Sequence, residues 1–347
     1  MEKKIRIGVI GCGNFGNVHM KAIVPQKNAE LVAICDVNEE NLKLRAKQYD
    51  ISEENCYTDY KELLKRDDID AITVPLPDQA HRQITVDALH AGKHVFCEKP
   101  MALTSEDCKA MIQAQRDTGK HLMIGQVCRY APSFNKAKEL ILEGEIGELF
   151  FVESEYAHDY SKIGGEGGWR VTPERQPIIG GGCHAVDLLR WIAGNPSEVF
   201  AYANRKVLKD WPVNDCFIAV MKFPNDVVGK VFTSIGCKRP YTMRTVLYGS
   251  KGTIICDNTS SHLSLFKSEM GGSEEYKGSS QQEVEIKIPV VLNSHNAVGE
   301  IEEFCDVILS GREMVMNGEE GAATVAVCEA IVNSAATGQS ISLDYKF

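Results

Sequence analysis

Two short segments of the chain place a titratable side chain where a proton could be moved. They are Cys97-Glu98-Lys99-Pro100 and the run Gly180-Gly181-Gly182-Cys183-His184-Ala185-Val186-Asp187. An alcohol that gives up hydride must also give up its hydroxyl proton, and a desolvated lysine or an imidazole titrating near neutrality can accept it. Pro100 restricts the residue before it to extended backbone, which fixes where Lys99 points. The three glycines leave backbone room for a ligand, and His184, Asp187 and Trp191, at i, i+3 and i+7, share one helix face. A carboxylate one turn from the imidazole can orient it. The competing readings are a surface lysine in a turn, and a histidine capping its own helix with Asp187 on a solvated face.

What tips the balance is the start of the chain. Ile5 to Ile10 is a β-branched run that reads as a buried parallel strand, and it leads directly into Gly11-Cys12-Gly13-Asn14-Phe15-Gly16. A helix is expected over 17–26 and a second strand over 31–35, ending in Asp36, twenty residues after Gly16. In that context G-x-G-x-x-G is a dinucleotide fingerprint. Gly11 permits the tight turn, Gly13 lets the backbone approach the pyrophosphate, and Gly16 lets helix and strand pack closely, so the helix N-terminus faces the phosphates. Asp36 accepts hydrogen bonds from the ribose hydroxyls of NAD and repels a 2′-phosphate, while Val37 and Asn38 supply no cation; NAD is the expected cofactor.

The surroundings suit a soluble enzyme. With 347 residues, 44% of them hydrophobic, the chain is long enough for two cored domains. A net charge of −10 and the lack of a basic run argue against nucleic-acid or anionic-membrane partners. No secretory or membrane-spanning stretch stands out, so a cytoplasmic location is expected. The twelve cysteines include no C-x-x-C pair and read as reduced, packed thiols, with no metal site. Strand and helix patterns alternate to about residue 125: strands over 71–74, 94–97 and 122–125, helices over 79–91 and 105–118, with Gly92 and Gly119 as stops. Lys99 thereby falls at a strand's carboxyl end, where a parallel sheet binds ligands. Beyond Pro132 the texture shifts. A helix over 135–143 and a strand over 149–156 precede a strand-rich stretch from Val199 to Pro289 that suits an antiparallel meander; Lys267 to Gln282 reads as a hairpin loop; helices return over 297–309 and 319–337. The expected fold is α/β: a doubly wound Rossmann domain over 1–125, then an α/β domain over 126–347 with a large open, mostly antiparallel sheet.

These segments together resemble the family of glucose-fructose oxidoreductases, inositol dehydrogenases and MocA-like proteins over nearly the whole chain. The resemblance is carried by Gly11 to Gly16, Pro75-Leu76-Pro77-Asp78 with His81, Glu98-Lys99-Pro100, Gly125 with Arg129-Tyr130, Trp169-Arg170, and Gly182 to Asp187, with Tyr248 to Thr253 and Glu300 to Ile308 as later landmarks. It implies NAD(P)-dependent oxidation or reduction of a sugar or cyclitol, with the lysine and histidine catalytic, and an open sheet that builds homodimers or homotetramers. Cofactor contacts then fall on Gly11, Gly13, Asn14, Phe15, Gly16, Asp36, Pro75, His81, Glu98 and Lys99.

Relatives similar to inositol dehydrogenase carry an aspartate four residues before the histidine, and this chain has Gly180 there. Asp187, or Asp159 of His158-Asp159-Tyr160, stands as the replacement carboxylate. The expectation is therefore hydride transfer between NAD and a secondary alcohol or ketone of a sugar, cyclitol or glycoside. Lys99, His184 and Asp187 act in catalysis. Arg129, Tyr130, Asp159, Trp169, Arg170 and His184 meet the carbohydrate, with Trp169 as a cover beside the Gly164 to Gly168 run. The alternatives are a glycoside hydrolase using tightly held NAD for transient oxidation and elimination, and a non-catalytic NAD sensor.

Overall fold

The computed structural model describes residues 4–164, 168–268, 283–293 and 295–347. The glycines at 165 and 167 and most of the hairpin loop expected over 267–282 lie outside the described residues. Contacts divide the chain into two units: Met1–Val127 with Asn296–Val325 and Lys346–Phe347, and Cys128–His295 with Ala326–Tyr345.

In the first unit the elements alternate: β1 (Ile5–Ile10), α1 (Asn14–Ile23), β2 (Ala29–Cys35), α2 (Glu39–Tyr49), β3 (Cys56–Tyr57), α3 (Tyr60–Leu64), β4 (Ala71–Val74), α4 (His81–His90), β5 (His94–Glu98), α5 (Ser105–Thr118) and β6 (Leu122–Gly125). All the strand pairs are parallel, in the order β3-β2-β1-β4-β5-β6. That order reverses between β1 and β4, and the carboxyl ends of those strands carry Gly11 and Pro75. The central strands are buried on both faces, which their β-branched runs anticipate. Helix α1 starts three residues earlier than expected, at Asn14, because Gly13 already serves as its N-cap. Thr104 caps α5 by accepting from the Asp107 N–H, and Gly119 closes it at φ 65°.

The second unit contains α6 (Pro132–Leu142), β7 (Leu149–Ala157), α7 (Pro177–Gly180), α8 (Cys183–Ala193), β8 (Glu198–Asn204), β9 (Cys216–Lys222), β10 (Val228–Ser234), β11 (Thr242–Gly249), β12 (Gly252–Asp257), β13 (His262–Ser268) and β14 (Glu283–Pro289). Its sheet runs β14-β13-β12-β11-β7-β10-β9-β8-β15, where β15 is Ile341–Ser342. The expected meander is interrupted. Strand β7 inserts between β10 and β11, parallel to the first and antiparallel to the second. Alternation on β7, with Val152, Ser154 and Tyr156 buried, matches both neighbours, and Ser154 reaches the Thr245 hydroxyl at 3.0 Å.

One expectation about domains needs correction. Helix α9 (Ala297–Ser310) and the start of α10 (Gly318–Thr337) lie beyond residue 125, yet up to Val325 they belong to the first unit. The reason is packing: Met316, Ala322 and Val325 join the core formed by Ile72, Val95, Leu122 and Ile124, and the Ile124 N–H donates to the Met316 carbonyl at 3.0 Å. Gly321 permits this approach, since a Cβ there would stand 2.6 Å from Ile124.

Candidate active site

The phosphate-binding turn of the first unit is set by two glycines. Gly11 sits at φ +113°, and a Cβ on Gly16 would lie 1.9 Å from the Gly11 carbonyl oxygen, so α1 can press on the turn only without a side chain there. A Cβ on Gly13, by contrast, would meet nothing within 4 Å. The N-terminus of α1 lacks a side-chain cap and carries no acidic residue in its first turn, which leaves its N–H groups to an anion. Asn14 and Phe15, both exposed, flank this opening. Asp36 is held at the tip of β2 by the N–H groups of Cys12 (2.6 Å) and Asn38 (2.8 Å). Two backbone donors leave a carboxylate further lone pairs for ribose hydroxyls. The residues present fit a dinucleotide. Sequence reasoning missed Arg45, whose Nε donates to the Cys12 carbonyl at 3.2 Å and ties α2 to the turn.

Lys99 follows β5 directly and is half-buried. Glu98 braces it: one carboxylate oxygen accepts from the Lys99 N–H at 3.1 Å, and the other pairs with His19 Nε2 of α1 at 3.0 Å. Burial pushes the Glu98 carboxyl up, but His19 and Lys99 outweigh it and bring it below the usual range. Close by on α9, Glu300 is buried, and desolvation together with the Glu98 charge holds its carboxyl well above the usual range. His81 is fully buried, with Nδ1 2.8 Å from the Pro100 carbonyl and Nε2 3.0 Å from that of Leu76. Pro75 is buried in the same turn after β4. Both ring nitrogens of His81 are engaged by backbone carbonyls, and each Glu98 oxygen has one protein partner, so within the described structure these two residues brace the turns around the site.

In the second unit His184 lies in the first turn of α8, buried, its Nδ1 3.2 Å from Cys128 Sγ and its ring stacked on Tyr156. Around it gather groups that sequence reasoning did not single out. Tyr156 shares a 2.8 Å hydrogen bond with Tyr160, His158 packs on Tyr241 at 4.5 Å between ring centroids, and His295 meets His184 edge-on. Burial raises the phenols of Tyr156 and Tyr241. Tyr130 is half-buried in the turn before α6.

The glycines before α8 serve packing rather than ligand room. A Cβ on Gly181 would stand 2.6 Å from the Tyr156 ring, and one on Gly182 2.4 Å from Thr233 Oγ1. At Gly180 the space is taken by a cation, since a Cβ would begin 2.3 Å from the Arg175 guanidinium. Arg175 donates to the Gly180 carbonyl at 3.2 Å, and both it and Arg170 lie over the Trp169 indole, at 4.9 and 4.7 Å.

Asp187 faces two guanidinium groups. It is fully buried, and Arg129 grips it through two 2.8 Å bonds, Nε to Oδ2 and Nη2 to Oδ1, with Arg190 at 3.6 Å. The two form an internal ion pair, which argues against the catalytic role expected of Asp187 and the substrate contact expected of Arg129. Asp159 accepts from the Ser161 N–H and pairs with Lys238 at 3.0 Å, contacts that hold its carboxyl down at about 2. Among the described residues no group of three or more His, Cys, Asp or Glu is placed to hold a metal, and no helix is long and apolar enough to cross a membrane.

A parallel sheet with a fingerprint turn, an acidic residue ending its second strand and a lysine at the carboxyl end of another defines an NAD-binding oxidoreductase domain. Residues 5–126 match the oxidoreductase family with an NAD-binding Rossmann fold, and 134–255 match the GFO/IDH/MocA C-terminal domain. The chain belongs to the Gfo/Idh/MocA family and is an NAD-dependent dehydrogenase. It is 27% identical to myo-inositol 2-dehydrogenase of Thermotoga maritima over 98% of this chain and 99% of that one. Aldose-aldose oxidoreductase from Caulobacter crescentus, solved with glycerol, superposes with a TM-score of 0.84 at 25% identity over 98% of this chain and 100% of its own. Levoglucosan dehydrogenase in complex with NADH shares the fold, with a TM-score of 0.88 at 22% identity over 99% of this chain and 100% of its own.

Proposed function

We propose that the protein interconverts a secondary alcohol and a ketone on a sugar, cyclitol or glycoside. NAD, when bound, takes or returns the hydride. The observation that carries this reading is Lys99, placed at the carboxyl end of β5 in the unit with the fingerprint turn and braced through Glu98 and His19. Lys99 accepts the hydroxyl proton in oxidation and returns it in reduction. In the second unit His184, with Tyr156 stacked on it, is the other candidate for proton handling, while Tyr130, Trp169, Arg170 and Asp159 offer hydrogen bonds, charge and an aromatic face to hydroxylated rings. The inositol and aldose relatives support the substrate class.

A screen of inositols, aldoses and glycosides for NADH fluorescence tests the reading, with turnover expected only when NAD is added. Release of aryl groups from glycosides without added cofactor would instead establish the hydrolase. Lys99→Ala should lower kcat by ~100-fold or more and leave NAD affinity within a few-fold, because a proton-transfer group acts mainly on the transition state. Retained turnover in that variant removes Lys99 from the chemistry.

A further inference from the structure

We propose that His81, in its doubly protonated form, is a positioning residue that clasps the turn after β4 to the turn carrying Lys99. The inference rests on the reading of Lys99 as the proton acceptor and goes beyond it by assigning what holds that lysine in place.

Geometry makes the case. The ring is wholly buried, and both nitrogens lie at hydrogen-bond distance from carbonyl oxygens: Nδ1 at 2.8 Å from Pro100 and Nε2 at 3.0 Å from Leu76. A carbonyl oxygen can only accept. A neutral imidazole donates from one nitrogen and presents a lone pair at the other, so one of the two contacts would set lone pair against lone pair. The imidazolium donates at both. The two acceptors belong to different turns. Leu76 follows Pro75 beside the phosphate-binding turn, where its side chain would stand 2.8 Å from a Cβ on Gly11. Pro100 is bonded directly to Lys99. One cation therefore ties the floor of the dinucleotide turn to the backbone of the proton-transfer residue.

The groups around the ring suit that charge. Asp78, buried in the turn just before α4, faces it on its own side, and the Cys97 thiol faces it from β5; beyond Cys97 come Glu98, already paired with His19, and Lys99. Helix α5 contributes Asp107, which Arg82 of α4 engages at 3.1 Å. Burial pushes the imidazole down, but Cys97, Asp78 and the Pro100 carbonyl outweigh it and raise it to about 10. The charged form is therefore present through neutral pH, and the clasp is lost as pH rises through about 10.

Two measurements on the full-length chain test the clasp. The first is long-range ¹H–¹⁵N correlation of protein labelled at histidine nitrogen, recorded at about pH 8.5, where an imidazole of ordinary pKa is neutral. A ring with both nitrogens protonated is expected, still present in His19→Gln, which removes the other buried histidine with an acidic partner, and absent in His81→Gln. If the unmodified protein shows no doubly protonated ring at that pH, the proposal is overturned without recourse to any variant. The second is the pH dependence of turnover. The unmodified enzyme should lose kcat on the alkaline side, whereas His81→Gln should show kcat lowered ~10-fold or more at neutral pH, no such alkaline loss, and NAD affinity within a few-fold. Identical alkaline limbs in the two proteins would overturn the positioning role. Failure of the Lys99 reading would appear separately, as a Lys99→Ala variant that keeps its turnover while the doubly protonated ring is still seen.

Discussion

Asp187 and Asp36 are both carboxylates expected to do functional work, and their surroundings separate them. Asp36 stands half-buried at a strand end, with two backbone donors and room for more. It should give NAD at least ~10-fold tighter binding than NADP, or about 1.4 kcal/mol, and Asp36→Ala should narrow that gap in a titration of both cofactors. Asp187 has no solvent access and two guanidinium partners. Replacing it by Asn strands buried positive charge, a change that typically costs about 3–5 kcal/mol and, in a chain of this size, lowers Tm by roughly 5–10 °C. The expected result for Asp187→Asn is a lower melting temperature with an unaltered pH profile in the enzyme that remains folded. A shifted profile at unchanged Tm would return Asp187 to catalysis. Side-chain type and helical spacing were readable at His184 and Asp187, but Arg129, the partner that decides the role of Asp187, lies 58 residues away in sequence. Arg175 is only five residues from Gly180, but that its guanidinium folds back against the glycine depends on how the chain between them turns.

At the scale of elements, the phosphate-binding turn was legible because strand, turn and helix follow one another directly and its tightest contact is local: Gly16 lies against the Gly11 carbonyl five residues earlier, whereas the approach of Leu76 to Gly11 is not marked by any local pattern. Gly16→Ala tests this. Its Cβ would fall on the Gly11 carbonyl, which is backbone and cannot swing aside, so α1 must shift and NAD should bind at least ~10-fold more weakly, read by fluorescence titration. Unchanged affinity would show that the turn tolerates a wider separation of helix and strand. Elsewhere the sequence marked the strands but not their neighbours. Strands β9, β10, β11 and β12 lie close to where alternation puts them, yet β7 enters between β10 and β11. Its pattern of buried Val152, Ser154 and Tyr156 fits any neighbour with the same alternation, so pairing is decided by the crossover through α7 and α8. Helix α9 was equally visible as a helix, but its return to the first unit rests on packing against α1 and β1 and on the Asn28 amide, just before β2, donating to Asp306 at 2.9 Å, which no local pattern carries.

At the scale of the whole molecule, one surface of the second unit's sheet is apolar where a sheet that faces water is ordinarily polar. The registers place Tyr202 opposite Ile218, Ile218 opposite Phe232, Phe200 opposite Val220, and Val228 opposite Phe151, which in turn faces Tyr248, so these side chains share one face. The opposite face holds Val199, Ala201, Phe217, Ala219 and Val231, all buried. On the open face Tyr202 is 66% exposed, Val220 48% and Val228 47%. A half-solvated antiparallel sheet ordinarily presents polar residues to water, and a contiguous apolar patch of this kind marks an association surface. Lys222 and Glu155 border it, and one ion pair, Lys230 to Glu153 at 2.6 Å, sits within it, between Val220 of β9 and Val246 of β11. We propose that a second copy of the chain covers this face, in a homodimer or homotetramer. Ile218→Lys combined with Val220→Lys places two desolvated charges at the centre of such an interface while leaving the buried face of β9 untouched. Light scattering after gel filtration should show the unmodified protein as a dimer or larger and the double variant as a smaller species with unchanged far-UV circular dichroism. A monomeric unmodified protein at micromolar concentration, or a variant that keeps its assembly, would mean that the sheet face is not the interface.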